Sequence, residues 1–257
     1  DAEAVRKLGP LSDAVVLNDR EILNRCDDSV GFVLGGRLSL IRRARGFVPL
    51  PVDLGIEVRP TLALGAMLSN TFAMAIGRRA FFSQHIGDVD SQAAVDFMRE
   101  SIGKFRRWLE LDPEIVASDM HPDLLTTHLA DEFAVGRRRV SVQHHHAHLG
   151  SALVAASIDG DAQGLVCDGT GWGPDGTIWG GELLVGSASG YRRLGHLRPL
   201  PLPGGEASIR KPSRLAAAYL HVLVPSAEGM DLDLWRRLGP DETSLVRRMV
   251  DRGFNCP

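Results

Sequence analysis

Gly164-Leu-Val-Cys-Asp-Gly-Thr-Gly-Trp-Gly-Pro-Asp-Gly-Thr-Ile-Trp-Gly-Gly-Glu182 is the stretch on which the reading of this chain turns. Its first four residues read as a strand, and an acidic residue, Asp168, stands at its end. Glycines follow at 169, 171, 173, 176, 180 and 181, and the pattern predicts a hairpin whose second arm runs from Thr177 to Val185. That is more glycine than one turn requires. Without Cβ atoms the backbone amides can approach a phosphate closely. The stretch is not a P-loop, because no Gly-Lys-Ser/Thr follows. Nor is it a dinucleotide fingerprint, because a hairpin stands where a helix should begin.

Strands and helices alternate on the N-terminal side of this stretch. Leu62-Ala-Leu64 and Phe72–Ile76 read as strands joined through Ser69-Asn70, and Gly77-Arg-Arg79 as a turn into Ala80-Phe-Phe82. Apolar residues at 94, 95, 98, 102, 105, 108 and 109 predict a helix over 91–110, ended by Asp112-Pro113. Ile115–Ala117 is a strand that ends at Asp119, Leu124–Phe133 a helix, Arg139–Val142 a strand and Ala147–Ala156 a helix. Residues 207–224 and 241–252 read as further helices. Alternation interrupted by hairpins argues a mixed α/β sheet with helices on its faces. The first 46 residues read as the end of another α/β unit. Ala14–Leu17 is a strand candidate there, and Gly31–Leu34 and Leu38–Ile41 flank a Gly35-Gly36 turn. Pro49, Pro51 and Pro60 give residues 47–60 the composition of a linker.

Composition narrows the function classes. Hydrophobic residues at 44% and charged residues at 24% exclude disorder and coiled coil. No apolar run approaches the ~20 residues of a membrane span. A net charge of −3 gives no general nucleic-acid surface. Three scattered cysteines, Cys26, Cys167 and Cys256, make neither a disulfide scaffold nor a zinc finger. With no leader in view, the cytoplasm is the expected compartment. The chain opens on Asp1 rather than Met, so 257 residues is read as a cut through a longer protein.

The densest chemical signal is Gln143-His-His-His-Ala-His148. On a helix, i and i+4 are neighbours on one face, so His144 and His148 can grip one ion while His145 and His146 point elsewhere. His145 stands where a zincin would carry its glutamate, which disfavours a metalloprotease. Asp168 offers a third ligand, with Asp119 and Asp123 competing for that role. Two histidines and one carboxylate suit Fe(II) or Zn²⁺ with open positions. Leu202-Pro-Gly-Gly-Glu206 places a Gly-Gly step before a helix, a natural anion seat with Arg210, Lys211 and Arg214 nearby. Ser83-Gln-His-Ile-Gly-Asp88 sets polar groups, His85 among them, behind an apolar strand, and Arg42, Arg43 and Arg45 form a basic cluster.

An acidic strand end followed by a glycine-rich hairpin resembles the arrangement that holds ATP phosphates and metal in the actin-like ATPase folds, which are ribonuclease H-like. Taken in order, Asp27-Asp-Ser-Val30 with Arg42–Gly46, Asn70-Thr-Phe72 through Asp88, Ser118–Asp123, Gln143–His148, Asp168–Glu182 and Leu202–Glu206 resemble the HypF carbamoyltransferases of nickel–iron hydrogenase maturation. The resemblance implies that residues 1–46 are the end of a YrdC-like domain and 47–60 a linker. Residues 61–257 would then be most of the domain shared with the tRNA threonylcarbamoyl transferases, an actin-like mixed sheet with helices on both faces. It also implies a reaction: ATP activates carbamoyl phosphate as carbamoyl-adenylate, and the carbamoyl group passes to the C-terminal cysteine of a HypE-like partner. In that reading His144, His148 and Asp168 hold a divalent metal, iron or zinc, with Mg²⁺ a further candidate. Gly169, Thr170, Gly171, Gly173, Gly180, Gly181, Glu182, Gly204 and Gly205 lie against the nucleotide, and His85, Asp119 and Arg210 are further site candidates.

The chain departs from the family pattern at Ser69, where lysine is common, at Glu206 for aspartate, and at Lys211-Pro-Ser213 for Glu-Pro-Trp. The acylphosphatase domain, the zinc-finger units and a final metal-binding aspartate would lie outside these residues, so the chain alone is expected to be inactive. Alternatives are an antibiotic-type O-carbamoyltransferase and an inactive metal- or nucleotide-binding module. A tRNA-modifying role is disfavoured by the acidic balance.

Overall fold

The computed structural model describes residues 2–20 and 22–256; Asp1 and Pro257, the outer limits of the expected domains, lie outside them. A short helix, α1 (Ala2–Leu8), precedes the hairpin β1 (Val30–Leu34) and β2 (Arg37–Arg42). Gly35 and Gly36 both take positive φ, as a tight two-residue turn between twisted strands requires. Ala14–Leu17 is irregular rather than a strand, and Val16 is exposed there. The basic cluster closes on the acidic stretch before the hairpin. Arg42 pairs with Asp27, Arg45 with Asp28, and Ser29 Oγ donates to the Arg45 carbonyl.

The expected linker gives way to strand from Pro51 onward: β3 (Pro51–Ala63) pairs antiparallel with β4 (Ala73–Phe82). Pro51 is the first residue of β3, and Pro60 falls where the register shifts between Val58 and Thr61, so neither removes a needed ladder bond. Gly77, expected in a turn, lies inside β4 at φ +58°, opposite the irregular Val58. The polar stretches around Asn70 and after β4 zip together. Asn70 N–H donates to the Gly87 carbonyl, Ile86 N–H to the Asn70 carbonyl, and Ser83 N–H to the Phe72 carbonyl.

Helix α2 (Gln92–Leu109) starts at Ser91, whose hydroxyl accepts from Ala94 N–H, and stops one turn earlier than its proline signal. Glu110 adopts the left-handed conformation there. Its apolar stripe buries Val95, Met98, Ile102 and Phe105 against Leu62, Leu64, Phe72 and Met74 of the β3–β4 unit and Val116 of the next strand. β5 (Ile115–Asp119), α3 (Leu125–Phe133) and β6 (Arg138–Val142) complete a four-stranded mixed sheet in the order β4-β3-β5-β6. β5 runs parallel to β3, and β6 parallel to β5.

Helix α4 (His144–Ala155) leaves β6 directly and packs on a second sheet. That sheet is built from β7 (Ala162–Val166), β10 (Glu182–Ser187) and β11 (Gly190–His196) in the order β11-β10-β7. Leu149 and Leu153 of α4 meet Trp179 and Leu184 in its core. The expected long arm Thr177–Val185 is broken at Gly180-Gly181. Its first part, β9 (Ile178–Trp179), pairs with β8 (Gly171–Trp172), and its second part is β10. The remaining helices are α5 (Glu206–Arg210), α6 (Pro212–Leu223), α7 (Asp233–Leu238) and α8 (Pro240–Arg252). Pro212 splits the expected single helix 207–224, since a proline lacks the N–H an interior turn needs and suits a first turn. Among the described residues no helix is long and apolar enough to cross a membrane.

Candidate metal centre

Three strands or strand-helix junctions end at one place. Asp119 is the last residue of β5, His144 opens α4 two residues beyond β6, and Asp168 stands two residues beyond β7. The carboxyl ends of strands are where open α/β sheets leave room for ligands. Gln143 starts α4 as an N-cap. Its side-chain oxygen accepts from His146 N–H at 2.9 Å, so the helix begins three residues earlier than expected and the first histidine already lies on a helical face.

The i, i+4 spacing then acts as anticipated. The ligand atoms of His144, His148 and Asp168 lie within 4.8 Å of one another. His144 Nε2 is 2.9 Å and His148 Nε2 3.4 Å from the same oxygen, Asp168 Oδ2. The other Asp168 oxygen accepts from Gly169 N–H at 2.8 Å. Two imidazole nitrogens and one carboxylate oxygen, half open to solvent, are a donor set that fits Fe(II) or Zn²⁺ with positions left for further ligands. Behind them, Asp119 Oδ2 sits 2.6 Å from His144 Nδ1. That hydrogen bond, opposed by burial, holds the His144 ring above the ordinary imidazole range. Burial pushes the Asp119 carboxyl up, but the bonds from His144 and His121 N–H outweigh it and leave it below the usual range.

His145 and His146 do point away. His145 is fully buried, which lowers its proton affinity. Its Nδ1 meets the Gln143 side-chain amide at 3.0 Å, and its Nε2 reaches toward the Asp168 carbonyl at 3.4 Å. His146 Nε2 lies 2.9 Å from the Ser187 carbonyl, and its ring packs on Tyr191. Asp123 is not among the converging groups.

The glycines of the hairpin have a packing reason that the sequence did not show. A Cβ at Gly171 would stand 2.6 Å from His145 Cε1 and 2.8 Å from His144 Cβ. One at Gly173 would strike the Trp179 ring at 2.1 Å, one at Gly180 the Gly169 carbonyl at 2.5 Å, and one at Gly181 the side chain of Leu197. Gly169 has open space around it, and Thr170 is exposed beside it. These two are the residues of the stretch, among those expected at a nucleotide, that leave room beside Asp168. Glu182 is buried and paired with Arg193 at 2.6 and 2.9 Å. Gly171→Ala should therefore cost about 1–3 kcal/mol through overpacking against two histidines. A thermal melt of the variant with no shift would show that the hairpin can move aside.

The second glycine site lies elsewhere. Gly204 N–H donates to the Asn255 carbonyl, and Gly205 precedes α5 with open space. The cations expected beside it face carboxylates: Arg210 pairs with Glu206 at 2.6 Å, and Lys211 and Arg214 both pair with Glu242. His85 is half-buried in the segment zipped onto residues 70–72, and Ser69 sits in an exposed turn with its N–H bonded to Asp88. Two residues beyond the expected set belong to the centre's surroundings, Gln143 and His121. The signal for Gln143 was its position between the expected strand Arg139–Val142 and the run of histidines. His121 packs on Trp172 and takes an N–H bond from Asp123 on Nδ1, contacts no spacing would show.

Two family models match the chain. One describes the HypF Kae1-like domain and matches residues 57–155, and the other describes the second subdomain of the carbamoyltransferase Kae1-like domain and matches residues 164–257. The chain belongs to the HypF carbamoyltransferase family. It is 42% identical to carbamoyltransferase HypF2 of Cupriavidus necator, over 99% of this chain and 32% of that protein. It is 44% identical to HypF of Rhizobium leguminosarum bv. viciae, over 95% of this chain and 31% of that protein. A crystal structure of full-length HypF in the phosphate- and nucleotide-bound form superposes with a TM-score of 0.89 at 37% identity, covering 99% of this chain and 40% of that one. HypF from T. kodakarensis superposes with a TM-score of 0.79 at 35% identity, covering 91% and 32%. The chain thus spans about a third of the length of the curated HypF relatives it matches. The mixed α/β fold is that of the HypF Kae1-like domain.

Proposed function

We propose that this chain is the Kae1-like transfer portion of an ATP-dependent carbamoyltransferase. Carbamoyl phosphate is activated as carbamoyl-adenylate, and its carbamoyl group is delivered to the C-terminal cysteine of a HypE-like protein. The observation that carries this reading is the convergence of His144, His148 and Asp168 at the strand ends, in a chain of this family. A divalent ion held by these three side chains would supply positive charge against phosphate oxygens. Around it, Gly169 and Thr170 present backbone open to a nucleotide, and Asp119 and Gln143 hold the first turn of α4 in place. Residues 1–46 are taken as the end of a YrdC-like domain that precedes this unit, with the junction moved to the residues before β3. The transfer unit is taken as an actin-like fold with helices on both sheet faces. The setting is cytoplasmic, and neither nucleic acid nor membrane is assigned a part.

The test is ATP–pyrophosphate exchange dependent on carbamoyl phosphate, together with carbamoylation of the acceptor cysteine, in the full protein that carries this chain. Both should be measurable there, and acceptor carbamoylation should be lost in His148→Ala. The 257-residue chain alone should support neither. A full protein that shows no exchange would overturn the enzymatic reading, and an isolated chain that transfers carbamoyl groups would overturn the assignment of the missing parts.

A further inference from the structure

We infer that Asp119 is a positioning residue for the metal centre: its carboxylate fixes His144 in the tautomer whose Nε2 lone pair faces His148 and Asp168. The inference deepens the metal reading above and rests on it, although its first half concerns the metal-free chain alone.

The placement begins with strand register. β5 and β6 are parallel, and Asp119 stands directly beside Val142, two residues before His144. The β5 terminus is thereby brought under the first turn of α4. The Asp119 side chain is 6% exposed, and each of its oxygens has one donor. Oδ2 faces His144 Nδ1 at 2.6 Å, and Oδ1 accepts from His121 N–H at 2.8 Å. To ligate an ion itself the carboxylate would have to abandon one or both. A carboxylate accepting from one ring nitrogen leaves the other as the lone-pair donor, which orients the ring and raises its basicity as a ligand. Here that other nitrogen is His144 Nε2, 2.9 Å from Asp168 Oδ2. Of the two carboxylates Asp119 is the nearer, at 2.6 Å, and the more buried, so the single proton of the neutral ring stays on Nδ1. Asp119 therefore acts through His144 and not as a fourth member of the set.

Asp119→Asn separates the two roles, because the amide has one oxygen. It can serve the His121 N–H or the His144 Nδ1–H, but not both, and its NH₂ toward His144 would favour the opposite tautomer. Zinc titration of the chain should show affinity reduced by about 10–100-fold in this variant. Affinity within about threefold of wild type would overturn the inference. An independent readout is the ¹⁵N spectrum of the His144 ring in the metal-free wild-type chain, on the alkaline side of its titration. A proton on Nδ1 is expected, and a proton on Nε2 overturns the inference even if the variant fails to fold. A wild-type chain that shows the Nδ1–H tautomer yet binds no zinc would strike the metal reading and leave the Asp119–His144 link standing.

Discussion

His144→Ala should lower zinc affinity by more than about 100-fold, since it removes a ligand and not merely a group behind one. Titration with zinc under a competing chelator would measure it. The comparison with His148→Ala makes the result informative. His148 is half exposed, and its ring approaches Asp168 at 3.4 Å, so its loss should weaken the ion without unfolding the chain. His144 also faces the buried Asp119, and removing the ring leaves that carboxylate with the His121 N–H on one oxygen only. An added stability loss of about 1–3 kcal/mol is expected for His144→Ala alone. His146→Ala is the control: its ring is turned to Ser187 and Tyr191, and zinc affinity should stay at the wild-type level. Equal affinity in the His144 and wild-type chains would remove the three-residue set as a metal centre.

How much of this was legible depended on whether the governing contact is local. The stripe of α2 and the i, i+4 pair of α4 are helix geometry, and both can be counted from the sequence. The Gly35-Gly36 turn is likewise local. Only the end of β3, at Leu62-Ala63, was legible; its earlier part was not, because Pro51 and Pro60 mark a linker in sequence but are harmless at a strand start and at a register shift. β11 was passed over because arginines at 192 and 193 interrupt its apolar alternation, and one of them, Arg193, is held by a buried glutamate from the neighbouring strand. The hairpin glycines were counted correctly, but four of them answer to His145, Trp179, the Gly169 carbonyl and Leu197, which are contacts between segments. The choice among Asp119, Asp123 and Asp168 was open for the same reason. Strand register sets Asp119 behind His144, while Asp168 faces both His144 and His148, and neither placement is written in the spacing.

Arg193→Ala should cost about 3–5 kcal/mol, the penalty for leaving a buried charge without its partner. Glu182 is 1% exposed at its side chain and takes two bonds from the Arg193 guanidinium, at 2.6 and 2.9 Å, and one from Gly180 N–H at 3.1 Å. Without the arginine a single donor remains. The same guanidinium lies 3.9 Å from the centre of the Trp179 ring, a cation–π contact that the truncation also removes. At this chain length the destabilisation corresponds to a fall in melting temperature of about 10 °C. The loss should reach the candidate centre, because Glu182 follows Gly181, whose N–H donates to the Asp168 carbonyl at 3.1 Å. Zinc affinity should therefore fall together with stability in Arg193→Ala, whereas in His148→Ala it falls alone. The double replacement Glu182→Gln with Arg193→Met removes both charges at similar volume and should recover most of the loss. If the double variant melts as low as Arg193→Ala, the unpaired carboxylate is not the cause, and the packing of Arg193 on Trp179 carries the effect instead.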